Sequence, residues 1–236
     1  MIELLKRILV AEDEDHIREF VVINLIRSGY DVTEAADGTA AIKLFDKADE
    51  PFDVALLDVM MPGTDGRSVC RHIREKCSRT GIIMLTAKAQ ETDKVSALAI
   101  GADDYVTKPF SVGELMARVD SLHRRVSASS SPLQPAVNEV WRGEFQLNRR
   151  ARTLCRDDKP IDLTQVEIQI MECFFENPGQ PIDRSQLLRN VWGENYYGDE
   201  KIVDVNIRRL RMKIEDDPGN PRHIITVWGR GYRWED

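Results

Sequence analysis

Residues 1–125 alternate five times between a short apolar run and a longer amphipathic segment. A strand that is buried on both faces shows no polar alternation, whereas a surface helix repeats its apolar residues every three to four positions. This β-α repeat predicts an α/β fold with a five-stranded parallel sheet covered by helices on both sides. The predicted strands are residues 8–11, 30–33, 54–58, 82–86 and 104–107, and the predicted helices are residues 15–27, 38–47, 66–76, 91–99 and 112–125.

Polar side chains stand where these predicted strands end. Because the carboxyl ends of parallel strands share one edge of a sheet, where open α/β sheets bind ligands, we expect these side chains to meet. Carboxylates placed this close repel one another, and a hard cation such as Mg²⁺, which prefers oxygen ligands, would relieve the repulsion. The sequence therefore predicts a magnesium site that contains three carboxylates, a hydroxyl and an ammonium: Glu12, Asp13, Asp58, Thr86 and Lys108.

Asp58 is the predicted nucleophile of this site. It ends the apolar run at residues 54–57, and Pro62-Gly63 stops the strand from continuing. A carboxylate beside a cation can attack a phosphoryl group, with Mg²⁺ and Lys108 neutralising the phosphoryl oxygens. The Thr86 hydroxyl is placed to donate a hydrogen bond to the new phosphate.

These motifs together resemble the receiver domain of bacterial two-component response regulators. The resemblance implies a flavodoxin-like (βα)5 fold and transfer of a phosphoryl group to Asp58 from a phosphohistidine of a sensor histidine kinase. The matching strings cover the first half of the chain and are Glu12-Asp13, Leu57-Asp58-Val-Met-Met-Pro-Gly63, Leu85-Thr86-Ala-Lys88 and Gly101-Ala-Asp-Asp-Tyr-Val-Thr-Lys-Pro-Phe110.

The same resemblance implies roles for individual residues. Mg²⁺ would be held by Asp13, Asp58 and the Met60 carbonyl, with Glu12 acting partly through water. Thr86 and Tyr105 would form a switch pair that reorients on phosphorylation, and the peptide bond between Lys108 and Pro109 would be cis, which proline tolerates.

A dimer surface is also implied. In the OmpR/PhoB subgroup, the last helix–strand–helix face of the receiver forms a symmetric dimer through salt bridges. The same charges on their own would also suit a solvated surface, where each pair contributes under about 1 kcal/mol. The matching positions here are Lys94, Asp104, Glu114 and Arg118.

Residues 126–138 are rich in serine and proline and predict a flexible linker. The chain would then consist of a receiver at residues 1–125, this linker, and a second domain at residues 139–236. In the second domain we expect strands at residues 145–147, 153–156 and 160–163. Thr164 and Glu167 form a predicted capping box that opens a first helix, and further helices are expected at residues 184–191 and 201–214.

The net charge of −7 argues against a nucleic-acid partner, and neither half of the chain is basic when it is divided at Arg125. DNA binding would therefore require a local basic patch. The helix at residues 201–214 offers one, although a basic helix is by itself more often a solvated surface. Its cationic residues, set against Asp204 alone, are Lys201, Arg208, Arg209, Arg211 and Lys213.

The second half resembles the winged helix-turn-helix, an α+β effector domain, of the OmpR/PhoB family. The resemblance implies that residues 201–211 enter the major groove, where arginines can reach bases and phosphates. Loop 193–198 would face RNA polymerase, and Trp228 departs from the arginine that many relatives carry there. The matching strings are Leu-Thr-x-x-Glu, Val-Trp-Gly, Val-Asp-Val-x-Ile-Arg-Arg-Leu-Arg and Gly-x-Gly-Tyr-Arg.

The implied DNA contacts differ in kind. Asn206 and Arg209 would contact bases, Arg208 and Arg211 would contact phosphates, and Arg230 would enter the neighbouring minor groove. Lys201 begins the groove-entering segment.

The sequence thus predicts a DNA-binding transcription regulator that dimerises on phosphorylation and binds promoter half-sites, expected as direct repeats. No enzyme activity is expected beyond gain and loss of its own phosphoryl group. A phosphohydrolase is an alternative, although such enzymes typically carry a second acid where this chain has Met60. A scaffold that binds no DNA is another.

The expected location is the cytoplasm, without membrane association. No apolar stretch reaches the roughly 20 residues that a membrane span needs. The four cysteines show no C-x-x-C pair or zinc spacing, which favours reduced thiols.

Overall fold

The computed structural model describes residues 6–87, 100–127, 138–194, 196 and 198–236. The chain divides into two compact units, Met1–Ser127 and Ala128–Asp236. The predicted helix at residues 91–99 lies outside the described residues. No helix among the described residues has the length and apolar character that a membrane span requires.

The N-terminal unit contains a five-stranded parallel sheet in the order β2-β1-β3-β4-β5, which confirms the flavodoxin-like prediction. The order reverses between β1 and β3, and such a reversal opens a crevice at the carboxyl ends of the strands. Side chains of the central strands are almost completely buried. The strands are β1 (Lys6–Ala11), β2 (Tyr30–Ala35), β3 (Val54–Asp58), β4 (Gly81–Ala87) and β5 (Asp104–Lys108).

The described helices of this unit form two layers. They are α1 (Asp15–Arg27), α2 (Gly38–Lys47), α3 (Gly66–Lys76) and α4 (Val112–Ser127). Helices α2 and α3 pack against each other, as do α1 and α4. Helix α4 continues two residues past the predicted helix end and into the predicted linker.

Helix α3 begins directly against the end of β3. A Cβ atom on Gly66 would lie only 1.9 Å from the carbonyl oxygen of Asp58, so a larger residue would push the helix away from the strand. The Asp65 side chain caps the helix by accepting a hydrogen bond from the Ser68 amide. These two features fix the start of α3 against the end of β3, and so they hold both ends of the loop that follows Asp58.

The C-terminal unit begins with a four-stranded antiparallel sheet, continues with three helices and ends with a hairpin. We call the hairpin the wing. Strand β6 is an addition to the sequence prediction, and the predicted capping box at Thr164 and Glu167 is present. The elements are β6 (Glu139–Arg142), β7 (Phe145–Asn148), β8 (Thr153–Arg156), β9 (Lys159–Ile161), α5 (Gln165–Glu176), α6 (Arg184–Trp192), α7 (Lys201–Ile214), β10 (Ile224–Val227) and β11 (Gly231–Trp234).

Trp234 joins the parts of this unit. Its buried ring lies 5.3 Å from the ring of Phe145 in β7 and 5.0 Å from that of Phe175 in α5, measured between centroids. Aromatic side chains of this size contribute strongly to burial, and tilted or edge-on ring pairs add to it. The wing, the sheet and α5 therefore share one core.

Candidate phosphoryl site and nucleic-acid interface

Three carboxylates and an ammonium meet at the carboxyl edge of the parallel sheet. Each of Glu12, Asp13 and Asp58 has an oxygen within 4.8 Å of an oxygen of the others. The Lys108 ammonium lies 2.7 Å from Oδ2 of Asp58 and 2.7 Å from Oε2 of Glu12. Glu12 and Asp58 are buried. The structure therefore brings together four of the five residues that the sequence placed at this edge, and we call this cluster the acidic pocket.

Burial of the acidic pocket disfavours ionisation of Glu12, and the neighbouring carboxylate adds to this effect. Burial raises the pKa of Glu12 to about 7; the hydrogen bond from Lys108 opposes this rise and the charge of Asp58 adds to it. Burial lowers the pKa of Lys108, but hydrogen bonds to Asp58 and Glu12 outweigh it and hold the pKa above its usual value. A further cation would relieve the remaining repulsion, and a set of carboxylate oxygens suits a hard divalent ion. The residues present therefore fit a divalent metal.

Two neighbouring backbone features complete the pocket. The Met60 amide donates a hydrogen bond to Oδ1 of Asp58 at 3.2 Å, which leaves Oδ2 to Lys108. The Met60 carbonyl as a metal ligand stays a prediction. The peptide bond between Lys108 and Pro109 is cis, as the resemblance implied.

The predicted switch residues lie on the adjacent strands. Thr86 directly follows Leu85, the register partner of Asp58, and its buried hydroxyl donates to the Ala87 carbonyl at 3.3 Å. Tyr105 on β5 is also buried. Both side chains are thus inside the unit in this structure, with Thr86 at the end of the strand that borders β3.

The predicted dimer residues pair within the chain. Arg118 Nη1 lies 3.1 Å from Oδ1 of Asp104, and Nη2 lies 3.0 Å from Oε1 of Glu114. Asp104 and Arg118 are buried. Lys94, the fourth predicted member, lies outside the described residues.

In the C-terminal unit, Lys201, Arg208 and Arg230 are exposed, as a DNA contact requires. Lys201 and Arg208 lie on α7, and Arg230 lies in the turn of the wing. The two α7 residues are seven positions apart, which is nearly two helical turns and places their side chains on one face. These exposed cations form the candidate nucleic-acid interface.

Three other residues predicted to contact DNA have their side chains engaged within the unit in this structure, and their DNA contacts stay predictions. Asn206 is completely buried, and its amide donates to the Ile202 carbonyl at 2.8 Å. Arg209 is ion-paired with Glu167 at 3.0 Å, and its side chain is only 10% exposed. Arg211 donates to the Ile224 carbonyl at 2.6 and 3.0 Å, so its guanidinium joins α7 to the wing.

The partner of Arg209 is a buried carboxylate that sequence reasoning assigned only to the capping box. Glu167 accepts a hydrogen bond from the Thr164 amide at 2.8 Å and lies 2.7 Å from the Lys213 ammonium. Burial opposes its ionisation, but the charges of Arg209 and Lys213 outweigh burial and hold the pKa of Glu167 below its usual value. We call this set the Glu167 cluster; it fastens α7 to the start of α5.

The wing is fastened to the helices as well. Ile182 and Tyr232 exchange two backbone hydrogen bonds, at 2.7 and 3.0 Å, and the Tyr232 hydroxyl donates to Asp204 on α7 at 2.7 Å. Gly231 has a φ of +103°, and a Cβ there would lie 2.1 Å from the Ile182 carbonyl oxygen, so glycine is required. The wing and α7 therefore form one rigid surface.

An acidic pocket at the carboxyl edge of a parallel sheet, joined in one chain to a winged helix, defines a two-component response regulator with a DNA-binding output domain. The family described as response regulator receiver domain matches residues 8–120. The family described as transcriptional regulatory protein, C terminal, matches residues 158–234.

Solved structures give the more particular assignment. The chain is similar to the response regulator DrrB of Thermotoga maritima, an OmpR/PhoB homologue, with 32% identity over 99% of this chain and 100% of that one and a TM-score of 0.50. A mutant of RitR is 25% identical over 98% and 99% of the two chains, with a TM-score of 0.76. The chain belongs to the OmpR/PhoB family of response regulators. Its receiver domain implies a histidine kinase partner, and its C-terminal domain implies DNA binding.

Proposed function

We propose that Asp58 accepts a phosphoryl group from a sensor histidine kinase and that this modification controls how the C-terminal unit binds promoter DNA in the cytoplasm. The observation that carries the proposal is the Lys108 ammonium 2.7 Å from Asp58 Oδ2 within the acidic pocket. An Asp58 oxygen attacks phosphorus, the bond from phosphorus to the kinase imidazole breaks, and the imidazole nitrogen keeps the electron pair. The protein acts only on itself, with no external substrate turned over.

The residues of the acidic pocket would have two roles, metal binding and charge neutralisation. Glu12, Asp13, Asp58 and the Met60 carbonyl would hold Mg²⁺, which when bound supplies positive charge to the phosphoryl oxygens. Lys108 holds Asp58 in place and neutralises the charge that phosphorylation adds, about −1.5 to −2 at pH 7.

The donor histidine has an approach to this pocket. A cavity of about 540 Å³ borders Lys108, and its lining is mostly apolar. An apolar cavity beside the nucleophile suits a kinase helix that inserts its histidine there, because burial excludes water from the reacting group. The lining residues are Glu14, His16, Ile17, Phe20, Ala87, Lys108, Pro109 and Phe110.

Phosphorylation would change the contacts of β4 and β5, which lie at one edge of the sheet. The Thr86 hydroxyl would exchange the Ala87 carbonyl for a phosphoryl oxygen, and Tyr105 would adjust to the space that results. The ion pairs that join Arg118 to the buried Asp104 and to the more exposed Glu114 would then be exchanged between two protomers, with Lys94 as a further member.

A dimer of this kind would place two winged helices on direct-repeat half-sites. Lys201 and Arg208 would lie in the major groove and Arg230 in the minor groove. The loop at residues 193–198 would face RNA polymerase; within it, residues 195 and 197 lie outside the described residues.

The test uses the full chain with Mg²⁺ and acetyl phosphate as the phosphoryl donor. Wild type is expected to gain one phosphoryl group, to shift from monomer to dimer in sedimentation velocity, and to bind a promoter-derived duplex more tightly. Asp58→Asn should do none of these, whereas Asp49→Asn, which changes an exposed carboxylate of the same unit, should match wild type. Stoichiometric labelling of the Asp58 variant would overturn the proposal, as would a labelled wild type with unchanged self-association and DNA affinity.

A further inference from the structure

The tip of the wing exposes a tryptophan. Trp228 is 91% exposed, whereas Trp192 and Trp234 are buried. It lies in a turn closed by a 2.9 Å hydrogen bond from the Arg230 amide to the Val227 carbonyl, and Gly229 in the third position of the turn has a φ of +71°. Glycine at that position is typical of a type II turn. The turn thus presents an aromatic ring and a guanidinium two residues apart.

The rest of the wing holds this tip in a fixed place beside α7. The Tyr232 hydroxyl donates to Asp204, and Arg211 donates to the Ile224 carbonyl and to the Thr226 hydroxyl. Arg208 lies four residues after Asp204 and three before Arg211, so it shares the helix face that borders the wing. The wing that carries the exposed ring is therefore fastened to the helix that carries Lys201 and Arg208.

Because the backbone turn that carries Trp228 is already fixed, a partner that covers the ring has only the rotamers of this side chain to order. The charge around it decides which partner fits. Arg230 beside the ring and the exposed Lys201 and Arg208 on α7 make a cationic surface, which complements the phosphates of a nucleic acid. Aromatic and apolar side chains placed between such cations stack on bases or wedge into the minor groove.

We infer that Trp228 makes an apolar contact with the sugars and base edges of the minor groove of duplex DNA, next to an ionic contact by Arg230. The inference rests on the proposed DNA binding of the C-terminal unit and adds a contact of a different chemistry. An indole neutralises no phosphate. Its share of the affinity therefore persists at salt concentrations that weaken the share contributed by Arg230.

The contact can be observed directly by tryptophan fluorescence. Trp141, which is 53% exposed, is the other accessible indole among the four tryptophans, so Trp141→Phe leaves Trp228 as the main target of acrylamide quenching. The probe is a duplex selected from a random-sequence pool by binding to the wild-type chain. Saturation with this duplex is expected to protect the fluorescence of the Trp141→Phe chain from acrylamide.

Affinity measurements separate the two wing contacts. Trp228→Ala is expected to weaken duplex binding about tenfold, as for loss of one aromatic–base contact, with an unchanged slope of log affinity against log salt. Trp228→Phe should recover part of the affinity. Arg230→Ala, the matched control, should instead lower the salt slope by about one.

The outcomes distinguish this inference from the function on which it rests. If wild type binds the duplex while Trp228 stays fully quenchable and Trp228→Ala binds as wild type does, the inference is overturned and the proposed function stands. Protection that grows with protein concentration in the absence of DNA would assign the tip to a second copy of the chain and would also overturn it. If no duplex binds, the proposed function fails and takes the inference with it.

Discussion

Replacement of Glu167 by alanine tests whether one buried carboxylate holds α7 in position. The change removes the acceptor of the Thr164 amide and the counter-charge of Arg209 and Lys213. Removal of one partner from a buried ion pair costs about 3–5 kcal/mol, because a charge is left without compensation. Lys213 is 31% exposed and can turn to water, but Arg209 is only 10% exposed and cannot do so without a local rearrangement.

The expected loss in the free energy of unfolding is therefore about 3–5 kcal/mol, which is a large part of the roughly 5–15 kcal/mol typical of a whole domain. Glu167→Gln keeps an acceptor for the Thr164 amide but loses the charge. It should therefore recover only a small part of the free energy of unfolding that Glu167→Ala loses. Thr164→Ala removes the hydroxyl that accepts a 3.4 Å hydrogen bond from the Glu167 amide, and it should cost only about 1 kcal/mol.

The assay is urea unfolding of the full chain followed by intrinsic tryptophan fluorescence. All four tryptophans lie in the C-terminal unit, so the signal follows that unit without contribution from the receiver. Measurements from pH 8 downward add a second readout. Because the pKa of Glu167 is held below its usual value, its stabilisation is complete above that value and is lost as the pH falls through the folded-state pKa.

The free-energy gap between wild type and Glu167→Gln should thus be constant at neutral pH and should narrow below about pH 4. A cost below about 1 kcal/mol for Glu167→Ala would refute the reasoning, since that value corresponds to loss of a cap alone. A gap that widens in acid would refute it as well.

The contrast between the neighbouring Arg208 and Arg209 gives a further prediction. Arg208→Ala should weaken duplex binding by about 1–3 kcal/mol and lower the slope of log affinity against log salt by about one. It should change the urea midpoint of unfolding little. Arg209→Ala should mainly lower the midpoint, because it leaves Glu167 with Lys213 alone, and equal stability of the two variants would contradict this assignment. In the receiver, Lys108→Ala leaves the acidic pocket without its ammonium, so millimolar Mg²⁺ should raise the melting temperature, measured by circular dichroism, more than it does in wild type. An equal Mg²⁺ effect in both chains would argue against the pocket as the cation site.

The acidic pocket could be placed from sequence because its geometry follows from topology. In a parallel sheet with helical crossovers, every strand reaches the same edge with its carboxyl end, so the residue after each apolar run has a known place. Glu12, Asp58 and Lys108 are far apart along the chain, yet no side-chain packing had to be known to bring them together. The hydrogen bonds around Asp58 required the structure, since they depend on the loop at Met60.

The face of α7 could not be read in the same way. Its apolar residues at 202, 203, 205, 207, 210 and 214 cover a wide arc, and polar residues at the margin of that arc fit either side. The Asn206 side chain is buried, and its amide donates to a carbonyl of the preceding turn. The Arg209 side chain points inward to its ion-pair partner Glu167, which lies on another helix. A buried ion pair between residues 42 positions apart leaves no periodic signal. Strand β6 was missed for a related reason, since its residues are half-exposed and follow directly on the serine-rich linker.

The hydrogen bonds between the wing and α7 hold these two elements at a fixed separation. A duplex that contacts both α7 and the wing must present its two grooves at that separation. A single extra base pair between the two contacts, about 3.4 Å along the axis, would move one groove away from the element that contacts it. A chain with a loose hairpin could follow such an insertion, whereas this one, held at Ile182, Asp204 and Ile224, would lose the contact. Operators for this protein should therefore tolerate base changes more readily than insertions within a half-site.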